Sequence, residues 1–244
     1  MSIRKILISQ PQPISEAPYT TLTAKYGVDI LFHPLVKVEA LTSEEYRAQK
    51  NPPIVDYTVI IFTSRHAIDH FFGLCKALRV PISENLRYYC VSDAVGNYLQ
   101  NYIPYRRRKI LIGKDNTFEG LKPVIKKHPK EKYFVPLGEG HTDEIIEFLT
   151  QAKVVHASGV MYRTVSNTFP PNLKFDFDLI IFFTPAGVKA LTELMPDFKQ
   201  GDCKITCFGP MTAAAIERAN LRLDLQAPTP DVPSIPAAVE YFLK

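Results

Sequence analysis

The sequence predicts an α/β protein made of two related domains with parallel sheets, and three observations carry that prediction. First, one block occurs twice. Asp56-Tyr57-Thr58-Val59-Ile60-Ile61-Phe62-Thr63-Ser64-Arg65-His66-Ala67-Ile68 lies over Asp176-Phe177-Asp178-Leu179-Ile180-Ile181-Phe182-Phe183-Thr184-Pro185-Ala186-Gly187-Val188 at a constant offset of 120 residues. Cys90-Val91-Ser92-Asp93-Ala94-Val95 then matches Cys207-Phe208-Gly209-Pro210-Met211-Thr212 at an offset of 117. A repeat this long is a duplicated domain, not a solenoid unit. Second, short apolar runs at 6–8, 28–32, 59–62, 88–91, 110–112, 133–135, 179–183 and 205–208 lack the alternation of a sheet with one wet face. Such runs between amphipathic helices mark parallel strands covered on both sides. Third, half of the 244 residues is enough chain to bury a core. Doubly wound sheets bind ligands beyond the carboxyl ends of their strands, so a cleft between the two repeats is the expected site.

The elements follow in order. Strand 6–8 comes directly after Arg4-Lys5. Ser15 and Pro18 open a helix that Gly27 can close. After strand 28–32, His33-Pro34 reads as a crossing segment. Strand 59–62 leads through Thr63-Ser64 into a helix whose apolar stripe is Ile68, Phe71, Phe72, Cys75 and Leu78. Strand 88–91 ends in the turn Ser92-Asp93-Ala94-Val95, and strand 133–135 ends in Pro136-Leu137-Gly138. Thr142 caps a helix with Asp143 and Glu144 in its first turn and Ile145, Ile146, Phe148 and Leu149 behind. Val160-Met161-Tyr162-Arg163-Thr164 alternates as a strand, with Met161 and Arg163 on one face and Tyr162 and Thr164 on the other. Phe169-Pro170-Pro171-Asn172 reads as the return crossing. Val188, Leu191, Leu194 and Met195 repeat the earlier stripe, and Gly209-Pro210 joins strand 205–208 to a helix. A proline-rich stretch from Pro228 to Pro236 precedes a last short helix ending at Phe242.

Composition narrows the chemistry. A net charge of +4 favours a small anionic ligand and does not by itself argue for nucleic acid. The run Tyr105-Arg106-Arg107-Arg108-Lys109 reads as a solvated face entering a strand. No apolar run approaches the roughly 20 residues of a membrane span, and the N-terminus lacks a signal core, so a cytoplasmic protein is expected. Cys75, Cys90, Cys203 and Cys207 form no Cys-x-x-Cys pair; Cys90 and Cys207 occupy matching strand positions and read as small buried hydrophobes. His66 and His70 share a helix face, yet the sequence places no third metal ligand beside them. Gly138-Glu139-Gly140 lacks the third glycine of a dinucleotide fingerprint, and there is no P-loop, nucleophile elbow or His-Glu-x-x-His. An enzyme with this inventory works by positioning and hydrogen bonding.

The candidate ligand groups stand at strand ends. Thr63, Ser64, Thr184 and Thr212 each fall where a helix begins. Such hydroxyls serve as helix caps, and the same turns present free backbone N–H groups to an anion. Ser64, Ser92, Gly138, Thr184, Gly187 and Thr212 are therefore expected to line the site mainly through backbone N–H groups, with Pro185, Gly209 and Met211 in the same turns and Arg65 as a nearby cation. Tyr162 lies just before the return crossing, between the two repeats, where a side chain can reach the cleft; a tyrosine that staples the linker is the competing reading.

Taken in order, Ile61-Phe62-Thr63-Ser64-Arg65-His66-Ala67-Ile68, Val160-Met161-Tyr162-Arg163-Thr164, Phe182-Phe183-Thr184-Pro185-Ala186-Gly187-Val188, Cys207-Phe208-Gly209-Pro210-Met211-Thr212-Ala213-Ala214 and Ala227-Pro228-Thr229-Pro230 resemble the uroporphyrinogen-III synthase family of heme biosynthesis. The resemblance implies two flavodoxin-like or HUP-like domains joined by a two-stranded linker around a central cleft. One would be discontinuous, 1–35 with 172–244; the other would span 39–158, with linkers at 33–39 and 159–171. It implies closure of linear hydroxymethylbilane to uroporphyrinogen III with inversion of ring D and loss of water. It implies no metal and no cofactor, a polycarboxylate tetrapyrrole substrate, no nucleic-acid or membrane partner, a monomer, and hydroxymethylbilane synthase as the candidate protein partner. Tyr162 would be catalytic. The chain departs from the family in the first-domain turn, where Val95 stands in place of a frequent threonine. The alternative from another class is a non-catalytic two-domain binder of a small anion, or a degenerate homologue.

Overall fold

The computed structural model describes residues 3–104 and 106–244, so the Tyr105 part of the basic run lies outside the described residues. The chain divides into two compact units. One comprises residues up to Lys37 together with Val165–Lys244, and the other comprises Val38–Thr164.

The elements run β1 (Lys5–Ile8), α1 (Ala17–Tyr26), β2 (Asp29–Phe32), β3 (Val36–Ala40), α2 (Ser43–Ala48), β4 (Val59–Phe62), α3 (Arg65–Leu78), β5 (Arg87–Cys90), α4 (Asp93–Tyr98) and β6 (Ile110–Ile112). They continue with α5 (Lys122–Lys127), β7 (Lys132–Gly138), α6 (Glu144–Gln151), β8 (Val155–Ser166), β9 (Leu179–Phe182), α7 (Pro185–Leu194), β10 (Lys204–Phe208), α8 (Pro210–Arg218), β11 (Leu225–Ala227) and α9 (Ile235–Leu243).

The first unit carries a sheet in the order β11-β10-β9-β1-β2, parallel throughout. The second carries β3-β8-β7-β4-β5-β6, parallel from β8 to β6. The orders coincide when β9 is set on β4, β10 on β5, β11 on β6, β1 on β7 and β2 on β8. The duplication seen in two blocks thus extends over five strands. In the first unit the chain enters at what corresponds to β7, so its last two strand positions are filled from the N-terminus. Register repeats too: Phe62 pairs with Cys90 and Phe182 with Cys207.

The strands form because their residues suit burial on both faces. All of Val59–Phe62 and Leu179–Phe182 are buried, in keeping with helices on either side of a parallel sheet. Cys75, Cys90 and Cys207 are buried and Cys203 is half-buried; all four are free thiols. Helix starts explain the repeated hydroxyls. Ser64 Oγ accepts from Ala67 N at 3.1 Å, and Thr184 Oγ1 accepts from Gly187 N at 3.1 Å. The starts of α1 and α6 differ from expectation. α1 begins after Glu16 rather than at Ser15, with Pro18 in its first turn and Gly27 closing it at φ 66°. α6 begins after Asp143 rather than Thr142.

Candidate functional site

The carboxyl ends of β4, β5, β7 and β8 bring Ser64, Arg65, Ser92, Gly138 and Tyr162 to one edge of the second unit's sheet. The carboxyl ends of β9 and β10 bring Thr184, Pro185, Gly187, Gly209, Met211 and Thr212 to the corresponding edge of the first unit's sheet.

At the first unit's edge the free donors are not all those expected. Gly187 N is held by Thr184, and Pro185 has no N–H, so Ala186 presents the amide of the α7 turn that has no partner among the described residues. Thr184, Pro185 and Ala186 are exposed, whereas Gly187 is buried. Gly209, not Thr212, holds the cap position of α8, at φ 96°, a conformation that favours glycine. Its own N–H donates to Ala227 O at 2.8 Å. Met211 is 67 % exposed, while Thr212, one step further, is 2 % exposed. Thr212 therefore faces the core, and what the turn can offer a ligand is its main chain. Ser9, at the end of β1, would approach within 3.7 Å of a Cβ on Gly187 and joins this edge; a single serine after a short strand gave no sequence signal.

The second unit's edge repeats the arrangement with two differences. Ser92 Oγ accepts from Val95 N at 3.3 Å, and Val95 is buried in the core, as its counterpart Thr212 is. The departure at Val95 thus falls on a packing position. α4 has only six residues and carries exposed Asp93 in its first turn, which makes this end a weaker anion site than that of the fourteen-residue α3. Arg65 is exposed, with its guanidinium 5.4 Å from the centre of the Tyr98 ring. Asp69 accepts from the Tyr102 hydroxyl at 2.6 Å, and that bond pushes the Tyr102 phenol up to about 12.

Tyr162 has the most specific surroundings. β7 and β8 pair in step until Leu137 meets Val160; Gly138 then meets Tyr162, which leaves Met161 as the extra residue of a bulge. Met161 is fully buried, and its carbonyl accepts from Leu41 N at 2.9 Å. The Tyr162 carbonyl accepts from Glu139 N at 2.8 Å. The bulge sets the Tyr162 ring against Gly138, where a Cβ would lie 2.6 Å from Cε2 of the ring. The role of Gly138 is therefore to make room, not to donate. The His70 ring stacks on Tyr162 at 5.0 Å and 23°. His70 was expected only as half of a possible metal pair with His66; among the described residues no group of three metal-ligating side chains occurs. Burial, then the neighbouring His66, pulls the His70 imidazole below its ordinary basicity, with Asp69 opposing. Among the described residues none hydrogen-bonds the Tyr162 hydroxyl.

Arg163, on the other side of β8, anchors that strand. It donates to Glu45 Oε1 at 2.7 Å and lies 3.6 Å from Glu39. Glu45 also accepts from Thr42 N and closes a capping box on α2. The Thr42 amide, then Arg163, hold the Glu45 carboxyl at about 2, below its ordinary 4.5. A depressed folded value stabilises above the unfolded value and is lost as pH falls through the folded one. The unfolding midpoint is therefore expected to fall as pH drops from about 4.5 towards 2, and Glu45→Gln should flatten that slope. Chemical denaturation of both proteins at several pH values checks this, and parallel slopes would contradict it.

A cavity of about 830 Å³ lies at the opposite, amino-terminal end of the first unit's strands, between Phe175, Phe177, Phe198 and Lys204. Lys204 there is paired with Asp224 at 3.2 Å. This cavity contains none of the helix-start turns at the carboxyl ends of the strands. No helix among the described residues is long and apolar enough to cross a membrane.

Comparison with known proteins agrees with this layout. The family model described as uroporphyrinogen-III synthase HemD matches residues 17–237. No curated protein matches. Among solved structures, uroporphyrinogen-III synthetase from Helicobacter pylori is similar at 17 % identity and a TM-score of 0.60, covering 99 % of both chains. A mutant uroporphyrinogen III synthase from Thermus thermophilus is similar at 15 % identity and a TM-score of 0.50, covering 98 % of both. These two structures share the two-sheet α/β fold, and the family match spans nearly all of the sequence: the chain belongs to the uroporphyrinogen-III synthase family.

Proposed function

We propose that this chain carries out the family's cyclisation with Tyr162 as its one reacting side chain and with the helix-start turns of each unit as carboxylate holders. In that reaction, linear hydroxymethylbilane closes to uroporphyrinogen III, ring D is inverted, and the terminal hydroxyl leaves as water. The substrate bears acetate and propionate groups on its rings. Ala186 and Met211, with unengaged amides at the starts of α7 and α8, suit such carboxylates. Hydroxymethylbilane synthase, which makes the substrate, is the natural supplier.

The observation that carries the reading is Tyr162 itself. Its ring is held between named neighbours, while its hydroxyl has no protein partner among the described residues. That hydroxyl is not among the buried polar atoms, so it is open to water and to a ligand. A free phenol can hydrogen-bond the departing hydroxyl and pass it a proton as the carbon–oxygen bond breaks. The azafulvene left behind is reactive, so the remaining work is orientation and exclusion of water.

The test is Tyr162→Phe. General-acid help is worth roughly 10²–10⁴-fold, and water can supply part of it, so a fall in kcat of about tenfold is expected in a folded variant. Wild-type rate and full type III yield would remove Tyr162 from the mechanism and favour a binding role for the fold.

A further inference from the structure

We propose that His70 is a positioning residue for the cyclisation, fixing the Tyr162 phenol by ring stacking; this rests on the reading of Tyr162 given above. The two rings lie 5.0 Å apart and 23° from parallel. Gly138 bounds the same phenol, since even a methyl group there would come within 2.6 Å of it. Tyr162 is thus confined by an imidazole from α3 and by bare backbone from β7. A tyrosine side chain turns about two bonds, and a half-buried one is held by a hydrogen bond from its hydroxyl or by packing of its ring. Here that hydroxyl is unbonded among the described residues, as are both ring nitrogens of His70. The tether is therefore the stack, which leaves the hydroxyl free for substrate.

The row continues on α3. The His66 ring lies 6.4 Å from that of His70 at 24°, one helical turn earlier. His66 is exposed and His70 half-buried, so the first backs the second from the solvent side. Burial, then the neighbouring His66, lowers the basicity of the His70 imidazole and so favours its neutral form. Neutrality suits the chemistry, because departure of the bilane's hydroxyl as water, with the phenol's proton, leaves positive charge developing on a pyrrole, and an imidazolium beside Tyr162 would oppose it. Flatness, not proton transfer or metal ligation, is then the property that His70 contributes. A residue that acts through Tyr162 must also lose its effect when the Tyr162 hydroxyl is gone.

The experiment is a double-mutant cycle, with enzymatically made hydroxymethylbilane as substrate and both product isomers quantified. His70→Ala should lower kcat about fivefold to tenfold and leave KM within about twofold, because the loss is in the reacting geometry and not in substrate binding. His70→Phe should recover most of the rate. In a Tyr162→Phe background, His70→Ala should have no further effect. Equal damage from His70→Phe and His70→Ala would overturn the proposal in favour of imidazole chemistry. A full His70→Ala penalty in the Tyr162→Phe background would overturn it in favour of a role unconnected with Tyr162. The Tyr162→Phe arm alone reports on the underlying reading: wild-type rate there sinks that reading, whereas a normal Tyr162→Phe loss with an additive His70 effect sinks only this inference. Should His70→Ala fail to fold, His70→Leu, similar in bulk but not planar, carries the same expectation.

Discussion

Gly138→Ala is expected to lower kcat about tenfold, as far as Tyr162→Phe does, while leaving KM within about threefold. A Cβ at that position would lie 2.6 Å from Cε2 of Tyr162 and 3.1 Å from Cδ2 and Cζ. Atoms do not approach so closely, so the phenol must move. The ring cannot simply slide, because His70 stacks on it and the bulge at Met161 fixes its backbone. A displacement of about 1 Å at a reacting group can cost about 10²-fold; here the loss is bounded by that of Tyr162→Phe, about tenfold, because water substitutes for the displaced phenol as it does for the missing hydroxyl. Steady-state kinetics beside a thermal melt separates this from unfolding. A folded Gly138→Ala protein with wild-type kcat would show that the position of Tyr162 does not matter to the reaction.

The second large effect is expected at α7. Ala186→Pro should raise KM roughly tenfold to a hundredfold, whereas Thr184→Ala should leave KM nearly unchanged. Ala186 holds the unengaged amide of that turn, since Gly187 N is bonded to Thr184 and Pro185 has none. A hydrogen bond to a charged group is worth about 1.5–3 kcal/mol, which sets that range. Proline removes the donor, and the first turn of a helix tolerates its ring. Thr184→Ala removes a cap worth about 1 kcal/mol of stability but keeps the Ala186 amide. Met211→Pro should behave as Ala186→Pro does. Equal KM for Ala186→Pro and Thr184→Ala proteins of equal stability would contradict carboxylate binding at this turn.

The parts of the fold legible in the sequence are those where burial dictates residue type. β4 and β6 fall where their apolar runs fall, because each residue of a covered parallel strand must be apolar or small. β3 and β11 gave no such run. β3 is a half-exposed edge strand with Lys37 and Glu39 in it, and β11 is three residues long with Gln226 at its centre. β8 was visible only around Tyr162, although it runs from Val155 to Ser166, because most of its twelve residues are only partly buried. The repeated hydroxyls mark turns that do open helices, but which amides remain free there depends on cap geometry: Gly187 and Thr212 look like their neighbours in sequence, yet one N–H is engaged and the other residue faces inward. Least legible was the seat of Tyr162. A one-residue bulge decides that Gly138 meets Tyr162, and no pattern in either strand announces it. His70 drew notice for its spacing from His66, a pattern that suggests metal, while its ring is engaged in stacking on a tyrosine 92 positions away.

The most direct measurement is incubation of the purified protein with enzymatically made hydroxymethylbilane, followed by separation of the type III and type I isomers of uroporphyrinogen. The account predicts type III as the dominant product of the wild-type protein, and a slower reaction with a larger type I share for Tyr162→Phe. Type I alone, formed at the rate seen in buffer, would contradict it and leave a protein of this fold that does not catalyse the cyclisation.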